Sequence, residues 1–295
     1  MSLFIASLNS GSNGNCYYVG NEDEAVLIDA GISCRETEKR LKRLELDIHK
    51  VKAIFITHEH ADHIQGVRVL VKKYRLPVYI TPRTLHQSHI FISPHLVNSF
   101  QPYAPIVIGN LSVTAFPKLH DAIDPHSFVV SCGNVRVGVM TDIGAVCPHV
   151  VHNFQNCHAV FLESNYDSEM LENGPYSYGL KNRIRGGKGH ISNNEAFRLF
   201  VEHRSPFMSH LLLAHLSNDN NTPALVENLF KSMAGDTQII IASRFEETPV
   251  YHISSSVDLI PPVLSEPVIT YESLVKMRPA KKVKITKNQF QLSLF

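Results

Sequence analysis

The stretch ITHEHADHIQG, residues 56–66, constrains the fold and the chemistry of this chain more than any other. It places four ligand-type side chains within six residues, at His58, His60, Asp62 and His63. The β-branched run VKAIFIT before it predicts a strand, and the period of a strand would point His58 and His60 the same way. Neutral imidazole and carboxylate groups bind zinc, iron or manganese well. An exposed polar turn is the alternative interpretation, but four such groups this close together favour a metal site.

Further ligands are expected at the ends of other strands, because one segment cannot complete two coordination shells. His120, Asp142 and His215 each close an apolar run that predicts a strand, and small or polar residues follow them. Most of the other histidines lie in predicted helices or loops. His126, six residues after His120, is the hardest of these to exclude as a ligand.

Composition limits the kind of protein this can be. The chain has 295 residues, 44% of them hydrophobic, which is enough for one large core or two modest ones. Its formal net charge of +1 implies that an anionic partner would be met by local patches. The five cysteines form no C-x-x-C pair, which predicts reduced thiols. No run resembles a signal peptide or a spanning helix, so we expect a cytoplasmic protein without a membrane segment.

Hydrophobic patterning predicts an α/β fold. Short apolar runs bounded by Gly, Pro, Asn or Asp recur along most of the chain, and helical spacing separates several of them. Two packed sheets covered by helices on both outer faces, a four-layer αββα arrangement, fit this order. Composition changes near residue 261, so we predict one domain over residues 1–260 and a flexible basic tail over residues 261–295.

The ordered set of acidic and histidine residues resembles the metallo-β-lactamase superfamily over about residues 1–260. That resemblance implies an αββα sandwich with a two-metal site at one edge. It assigns His58, His60 and His120 to one metal. It assigns Asp62, His63 and His215 to the other. Asp142 matches the bridging carboxylate and Asp29 a supporting aspartate. True β-lactamases commonly place a cysteine where this chain has Asp142, which argues against antibiotic cleavage.

The same resemblance implies hydrolytic chemistry with two divalent ions, Zn²⁺ or Mn²⁺. Two metal ions lower the pKa of a bridging water and clamp an in-line displacement at phosphorus. A metal-held hydroxide would then be the nucleophile, and Asp62 is the residue expected to orient it.

The segment GHISNNEAFRLF, residues 189–200, resembles the C-terminal part of ribonuclease Z-type phosphodiesterases. Ser192 and Glu195 form a capping-box pattern, so His190 would lie just before a helix N-terminus, where an anion is favoured. His190 would contact a scissile phosphate or protonate a leaving oxygen. A histidine that only ends a loop is the alternative.

Two segments are candidates for nucleic-acid contact. A basic run precedes His190, and it would hold a nucleic-acid backbone or form only a solvated face. Its cationic residues are Lys181, Arg183, Arg185 and Lys188. The segment NSGSNGN, residues 9–15, would offer phosphate donors or form only a flexible hairpin. Its candidates are Ser10, Ser12 and Asn15.

Five local motifs together resemble the bacterial YycJ/WalJ (VicX)-like branch of the superfamily: NSGSNGNCYYV, HDAIDPHSF, LESNYD, GHISN and HLSNDNN. This branch implies 5′-to-3′ exonuclease activity on double-stranded DNA, with manganese or zinc, in DNA repair. His126 departs from the pattern, which has a glycine there. A small-molecule metallohydrolase, such as a cyclic phosphodiesterase or a lactonase, is the alternative, and it needs neither the basic segment nor the tail. A non-catalytic DNA-binding or clamp-binding protein would not need the full ligand set.

The chain ends in QLSLF behind a stretch that carries six cationic residues and no acidic ones. This ending resembles the short motif by which bacterial replication and repair proteins dock on the DNA sliding clamp. Leu292, Leu294 and Phe295 would fill apolar pockets while Gln291 bonds the rim. The alternative is that the same residues fold back on the protein as an edge strand.

Overall fold

The structure is a computed structural model that describes residues 1–255. The predicted tail and its partner-binding residues, Gln291, Leu292, Leu294 and Phe295, lie outside the described residues. The boundary predicted at residue 260 also falls there and stays a prediction.

Fourteen strands form two seven-stranded sheets within residues 1–255. In chain order the strands are β1 (Ser2–Asn9), β2 (Cys16–Gly20), β3 (Ala25–Ile28), β4 (Val51–Phe55), β5 (Val78–Tyr79), β6 (Val97–Asn98), β7 (Ile106–Ile108), β8 (Leu111–Pro117), β9 (His126–Cys132), β10 (Val135–Met140), β11 (Ala159–Glu163), β12 (His210–Ala214), β13 (Gln238–Ile241) and β14 (Tyr251–Ser254). The first sheet has the order β14-β1-β2-β3-β4-β5-β6, and the second has the order β13-β12-β11-β10-β9-β8-β7.

Nine α-helices join these strands in the described part of the chain. They are α1 (Cys34–Arg43), α2 (Ala61–Ile64), α3 (Val67–Tyr74), α4 (Pro82–Ser88), α5 (Pro148–Phe154), α6 (Ser168–Asn173), α7 (Tyr178–Arg185), α8 (Asn193–His203) and α9 (Pro223–Lys231). Short 3₁₀ turns cover Ile48–Lys50 and Pro94–Leu96.

Three apolar clusters confirm the four-layer prediction. Alternate strand residues such as Ile5 and Phe128 fill the space between the two sheets. The outer face of the first sheet packs on α1 and α3, through Leu41 and Leu70 among others. The outer face of the second sheet packs on α5, α8 and α9. The fold is therefore an αββα sandwich with its main core between the sheets.

Local sequence signals set several of the helix starts. Ser192 caps α8, and Glu195 bonds back to Ser192, so the predicted capping box is confirmed. Ser33 caps α1, but the Glu36 side chain bonds Arg40 instead of completing a box.

One stretch with helical spacing is divided between two helices. The run IQGVRVLVKKY contributes to α2 and α3 with a break at Gly66. Gly66 N donates to Ala30 O, and a Cβ on Gly66 would lie 1.9 Å from Ile32 O. The backbone of residues 30–32 therefore approaches so closely that α2 ends here and only glycine fits at this position.

Strand direction brings the predicted site residues to one edge of the sandwich. β3 and β4 are parallel, as are β10 to β13, and β8 runs in the same direction as β10 because β9 is antiparallel to both. The carboxyl ends of these strands therefore meet at the same edge.

Candidate metal centre

Three side chains at strand ends are turned into the centre by an uncommon backbone conformation. Asp29 and His215 follow β3 and β12 directly, and Asp142 lies one residue further from the end of β10, with φ angles of 61°, 55° and 53°. Residues other than glycine rarely adopt this left-handed region, and such strain collects at functional sites. Each strand therefore ends in a backbone turn that redirects the next side chain.

Three histidines form a first convergent group. His58 Nε2 lies 3.1 Å from His60 Nδ1, and His120 Nε2 lies 3.3 Å from the same atom. The three ring nitrogens lie within 4.8 Å of one another and could hold a metal ion. Imidazole lone pairs at these separations repel unless a proton or a cation lies between them.

The outer hydrogen bonds of His58 and His120 fix which nitrogen carries the proton. Thr57 Oγ1 donates to Asp29 Oδ2 over 2.8 Å, so Thr57 Oγ1 accepts from His58 Nδ1. Gly189 O accepts from His120 Nδ1 over 2.9 Å. Both histidines therefore keep the lone pair on Nε2, the atom that faces the first group.

Asp62, His63 and His215 form a second convergent group. Asp62 Oδ2 lies 3.5 Å from His63 Nε2 and 3.6 Å from His215 Nε2. His63 Nδ1 donates to Asp29 Oδ2 over 2.7 Å, and His215 Nδ1 donates to Glu163 Oε1 over 3.2 Å. Here carboxylates hold the outer nitrogens, whereas a hydroxyl and a backbone carbonyl hold them in the first group, and in both groups the inner nitrogens converge.

Asp142 lies between the two groups. Its Oδ2 is 3.2 Å from His63 Nε2, while its Oδ1 is 3.5 Å from His215 Nε2 and 3.9 Å from His120 Nε2. Asp142 Oδ2 and His215 Nε2 are buried and have no hydrogen-bond partner. Buried polar atoms without partners are costly, and a divalent cation would satisfy both of these. The donor set therefore fits divalent metal binding, with Asp142 next to both groups.

Asp29 supports the centre by accepting hydrogen bonds from Thr57 and His63. Its Oδ1 accepts from Thr57 N over 2.8 Å, and its Oδ2 accepts from Thr57 Oγ1 and His63 Nδ1. Asp29 is fully buried and is not among the side chains whose ligand atoms converge. This geometry agrees with the supporting role predicted for Asp29.

Burial and charge split the histidines into two classes. Burial lowers the pKa of His58 well below its usual value and lowers the pKa of His120 to about 4. Burial also acts to lower the pKa of His63 and His215, but nearby carboxylates, Asp142 foremost, outweigh it. The pKa of His63 is raised well above its usual value and that of His215 to about 10. The second group therefore needs positive charge, which protons or metal ions can supply.

The pKa values of the two carboxylates, Asp142 and Asp62, also depend on the neighbouring charges. Burial alone would raise the pKa of Asp142, but the neighbouring His215 and His63 hold it well below its usual value. The pKa of Asp62 is likewise lowered, because His63 and His215 outweigh the effect of burial. Both side chains are therefore ionised and available as ligands at neutral pH.

Sequence reasoning missed Glu163, the last residue of β11. Its Oε1 accepts from His190 Nδ1 over 2.8 Å and from His215 Nδ1, and its Oε2 accepts from Ile143 N over 2.7 Å. Glu163 is fully buried and thus links His190 to His215. The available signal was an acidic residue closing the otherwise apolar run AVFLE.

Lys118 is a second buried residue that sequence reasoning missed. It is 5% exposed, and its Nζ donates to Thr141 O over 2.7 Å, just before Asp142. Burial lowers the pKa of Lys118, while Asp142 and Asp29 act in the opposite direction. Lys118 therefore anchors the end of β10, from which Asp142 projects.

His190 borders a cavity that opens beside the second group. The cavity has a volume of about 230 Å³, and its lining includes His190, His215 and Asn165. His190 stacks on His215 with ring centroids 5.2 Å apart. Because Glu163 occupies Nδ1 of His190, Nε2 is the nitrogen left for a ligand.

The predicted basic segment is mostly helix α7. None of its residues is buried, and Leu180, Arg183 and Ile184 line the cavity. Arg183 pairs with Asp121 over 2.6 Å, and Arg185 pairs with Glu172. Lys188 is exposed, whereas Lys181 is half-buried and donates to Glu172 O. The cationic residues thus border the cavity, with part of their charge already neutralised.

The structure changes the interpretation of segment 9–15. Ser10 is 1% exposed, bonds Tyr17 and accepts from His215 N. Asn15 is fully buried and donates to Asp62 Oδ2 over 3.1 Å. Direct contact of these two side chains with a nucleic acid is therefore excluded by burial, and both instead position site residues. Ser12 is exposed and lines the cavity.

His126 lies apart from the convergent groups found in the described residues. It begins β9, is 4% exposed, packs against Phe100 and bonds Asp124 O through Nδ1.

The five cysteines are buried and free, in agreement with the prediction of reduced thiols. Within residues 1–255, no helix has both the length and the apolar character needed to cross a membrane.

Comparison with known proteins identifies the family. The beta-lactamase superfamily domain matches residues 24–215. The chain belongs to the metallo-β-lactamase superfamily. The family match and the convergent ligand groups support the predicted metal-dependent hydrolase.

Two curated relatives cover most of the chain. It is 33% identical to exodeoxyribonuclease YycJ of Bacillus anthracis over 254 residues, 83% of this chain and 94% of the relative. It is 30% identical to exodeoxyribonuclease WalJ of Streptococcus pneumoniae serotype 2, over 74% of this chain and 83% of the relative. Within the superfamily, this chain is therefore YycJ-like.

One solved structure shows the same architecture. The metallo-β-lactamase fold protein YhfI of Bacillus subtilis superposes with a TM-score of 0.66 at 18% identity, over 85% of this chain and all of YhfI. At this level of identity the likeness supports the fold alone.

Proposed function

We propose that this protein is a two-metal phosphodiesterase that degrades DNA, as a 5′-to-3′ exonuclease on double-stranded ends. The observation that carries the proposal is the match over 94% of exodeoxyribonuclease YycJ, with both convergent ligand groups present in this chain. DNA repair in the cytoplasm is the setting we propose for this activity.

The proposed ligands divide as the geometry groups them. His58, His60 and His120 would hold one divalent ion, and Asp62, His63 and His215 would hold the other, with Asp142 shared. Zn²⁺ and Mn²⁺ both suit this mixture of imidazole and carboxylate. When bound, such ions activate water and neutralise the charge on a phosphoryl group.

Asp62 and His190 have distinct proposed roles in the reaction. Asp62 is part-exposed, accepts from Asn15 Nδ2, and would accept a hydrogen bond from the attacking water. His190 would donate a proton from Nε2 to the leaving oxygen, since Nδ1 is held by Glu163. Glu163 is then a positioning residue, because it orients both His190 and His215 without facing the cavity.

The cationic residues near α7 would bind the DNA backbone. Lys188 is exposed, and Arg183 can exchange its exposed partner Asp121 for a phosphate group. These contacts would position DNA without reading its sequence. Ser12 at the same cavity would add a hydroxyl donor.

We also propose that the terminal QLSLF docks on the bacterial sliding clamp. This part of the proposal rests on the sequence, because the tail lies outside the described residues. A peptide of residues 276–295 should bind purified clamp, and the same peptide with Leu292, Leu294 and Phe295 changed to Ala should not.

The nuclease activity can be tested with purified protein, Mn²⁺ and a 5′-labelled linear duplex, alongside an Asp62→Ala variant. Release of labelled mononucleotide by the wild type and not by the variant would support the proposal. Hydrolysis of bis-p-nitrophenyl phosphate without any DNA degradation would instead identify a small-molecule phosphodiesterase. Release of label from 3′-labelled ends only would contradict the proposed polarity.

A further inference from the structure

The loop that follows β13 is held rigidly at the edge of the sandwich that carries the site. We call Ser243–Glu247 the rim loop. Ser243 O accepts from Ser10 N over 3.1 Å, and Ser243 Oγ accepts from Phe245 N over 3.0 Å. Arg40 Nη2 donates to Phe245 O over 2.9 Å. The backbone around Phe245 is therefore fixed by two other parts of the chain and by a bond within the rim loop.

The rim loop is joined to the cavity beside the metal centre through Ser12. Asn13 Nδ2 donates to Arg244 O over 2.8 Å, and Arg244 Nη2 donates to Ser12 Oγ over 3.0 Å. Ser12 lines the same cavity as His190 and His215. A polymer bound across the centre and leaving the cavity past Ser12 would next meet the rim loop.

The side chain of Phe245 does not contribute to the core. Phe245 is 76% exposed although its backbone is fixed on both sides. Arg244 Nη1 is a buried atom that has no hydrogen-bond partner in the described part of the chain. A rigid exposed aromatic side chain beside a buried donor without a partner is costly for an inert surface, since it orders apolar area without burying it and leaves a polar atom unsatisfied.

The two side chains match the chemistry of a nucleotide. An aromatic face stacks on any base, and a guanidinium binds a phosphate through parallel hydrogen bonds. We propose that Arg244 and Phe245 form a nucleotide-binding subsite outside the metal centre. Phe245 stacks on an unpaired base, and Arg244 holds a phosphate next to the one being cut. This inference rests on the proposed function, because it requires a nucleic-acid substrate.

Phe245→Ala and Phe245→Trp test the subsite, with Phe207→Ala as the matched control. Phe207 is 45% exposed and lies before the start of β12, whereas His215 follows the end of that strand. Because Phe245 is exposed, its truncation leaves the core unchanged. Each variant is assayed on a DNA duplex with a short unpaired 5′ end and on bis-p-nitrophenyl phosphate.

We expect Phe245→Ala to lower kcat/KM on DNA roughly 5- to 150-fold, the range found for one base–aromatic stack. Its rate on bis-p-nitrophenyl phosphate should match the wild type, because that substrate does not reach the rim loop. Phe245→Trp should retain activity on DNA, and Phe207→Ala should behave as the wild type on both substrates.

Arg244→Gln gives an independent readout. Binding of the same DNA should depend less on salt, with the slope of log affinity against log salt reduced by about 0.7 to 0.9. An unchanged slope would overturn the phosphate contact.

Two outcomes separate failure of the subsite from failure of the proposed function. If the wild type degrades DNA and Phe245→Ala does so equally well, the stacking subsite is wrong and the nuclease proposal stands. If the wild type hydrolyses only bis-p-nitrophenyl phosphate, the DNA nuclease proposal fails and the subsite fails with it.

Discussion

At the scale of single residues, the centre depends on which nitrogen of each histidine carries the proton. His58, His63 and His120 each bond an oxygen through Nδ1, and these oxygens belong to Thr57, Asp29 and Gly189. The arrangement leaves the Nε2 atom of each ring facing inward before any metal binds. Such preorganisation reduces the reorganisation needed to bind a cation, and losing one outer partner typically costs 10- to 100-fold in affinity.

Asp142→Asn should reduce metal binding more than any change outside the ligand groups. The substitution removes the negative charge next to both groups while keeping the shape of the side chain. We expect bound metal to fall from two ions per chain to one or fewer, and activity to fall at least about 100-fold. Elemental analysis of the dialysed protein measures the metal content.

Asp219→Asn is the matched control for this change. Asp219 is an exposed carboxylate whose partner is the Tyr176 hydroxyl, and it belongs to neither ligand group. Its substitution should leave the metal content at the wild-type value. Equal metal content in both variants would contradict the bridging role of Asp142.

His190→Ala should discriminate between leaving groups. Loss of a general acid typically costs 10²- to 10⁴-fold where the leaving oxygen needs a proton, as in DNA. The p-nitrophenolate of bis-p-nitrophenyl phosphate leaves without protonation, so its hydrolysis should be far less affected. Parallel kcat measurements on both substrates test this. An equal loss on both would show that His190 acts in binding or structure.

The seven predicted ligands could be found from the sequence, whereas the side chains that support them could not. Local spacing in the sequence identifies His58, His60, Asp62 and His63 as ligands. The ends of apolar runs identify His120 and Asp142. Glu163 acts on residues 27 and 52 positions away, and no local pattern encodes such contacts. The burial of Ser10 and Asn15 was missed for the same reason, because nothing in a polar, Gly-rich segment indicates that it folds inward.

At the scale of elements, apolar periodicity predicted the strands and helices that bury a face, and missed those that do not. β8 to β12 all match short apolar runs in the sequence. Helix α7 buries none of its side chains, so it has no apolar stripe by which to recognise it. The two-residue strand β6 and the late edge strand β14 are too short or too polar for a clear pattern, whereas the run PVYIT did predict β5.

Gly31→Ala should damage the turn that carries the second ligand group. A Cβ there would lie 1.7 Å from Asp62 O and 2.6 Å from Asn15 N, so backbone has to move. We expect a loss of about 3 kcal/mol or more in the free energy of unfolding, together with weaker metal binding. Urea denaturation gives the first quantity and metal titration the second.

Gly179→Ala provides the control within α7. Nothing lies within 4 Å of a Cβ added at Gly179. In a helix the change from glycine to alanine stabilises by roughly 0.5–1 kcal/mol, so this variant should be as stable as the wild type or slightly more stable. A comparable loss of stability in both variants would show that close packing at Gly31 is not the cause.

At the scale of the whole molecule, the centre joins the two sheets. His58, His60 and His63 follow β4 of the first sheet, while His120, Asp142 and His215 follow strands of the second. Metal ions held between them would oppose separation of the sheets, because they bind only when the sheets are together.

Chelation should therefore lower the thermal midpoint. At a free metal concentration 100 times Kd, binding adds about 2.7 kcal/mol to the free energy of unfolding. For a protein of this size that corresponds to a shift of about 4–5 °C for each ion. Circular dichroism before and after removal of metal measures it, and Asp142→Asn should show a smaller shift. Identical thermal midpoints with and without metal would show that any bound ions do not link the two sheets.

The central claim is that side chains from both sheets hold two divalent ions with Asp142 between them. Diffraction from crystals of the full chain grown with Mn²⁺, recorded where manganese scatters anomalously, tests it most directly. We expect two anomalous peaks per chain, one among His58, His60 and His120 and one among Asp62, His63 and His215. A single peak, or peaks outside these two groups, would contradict it.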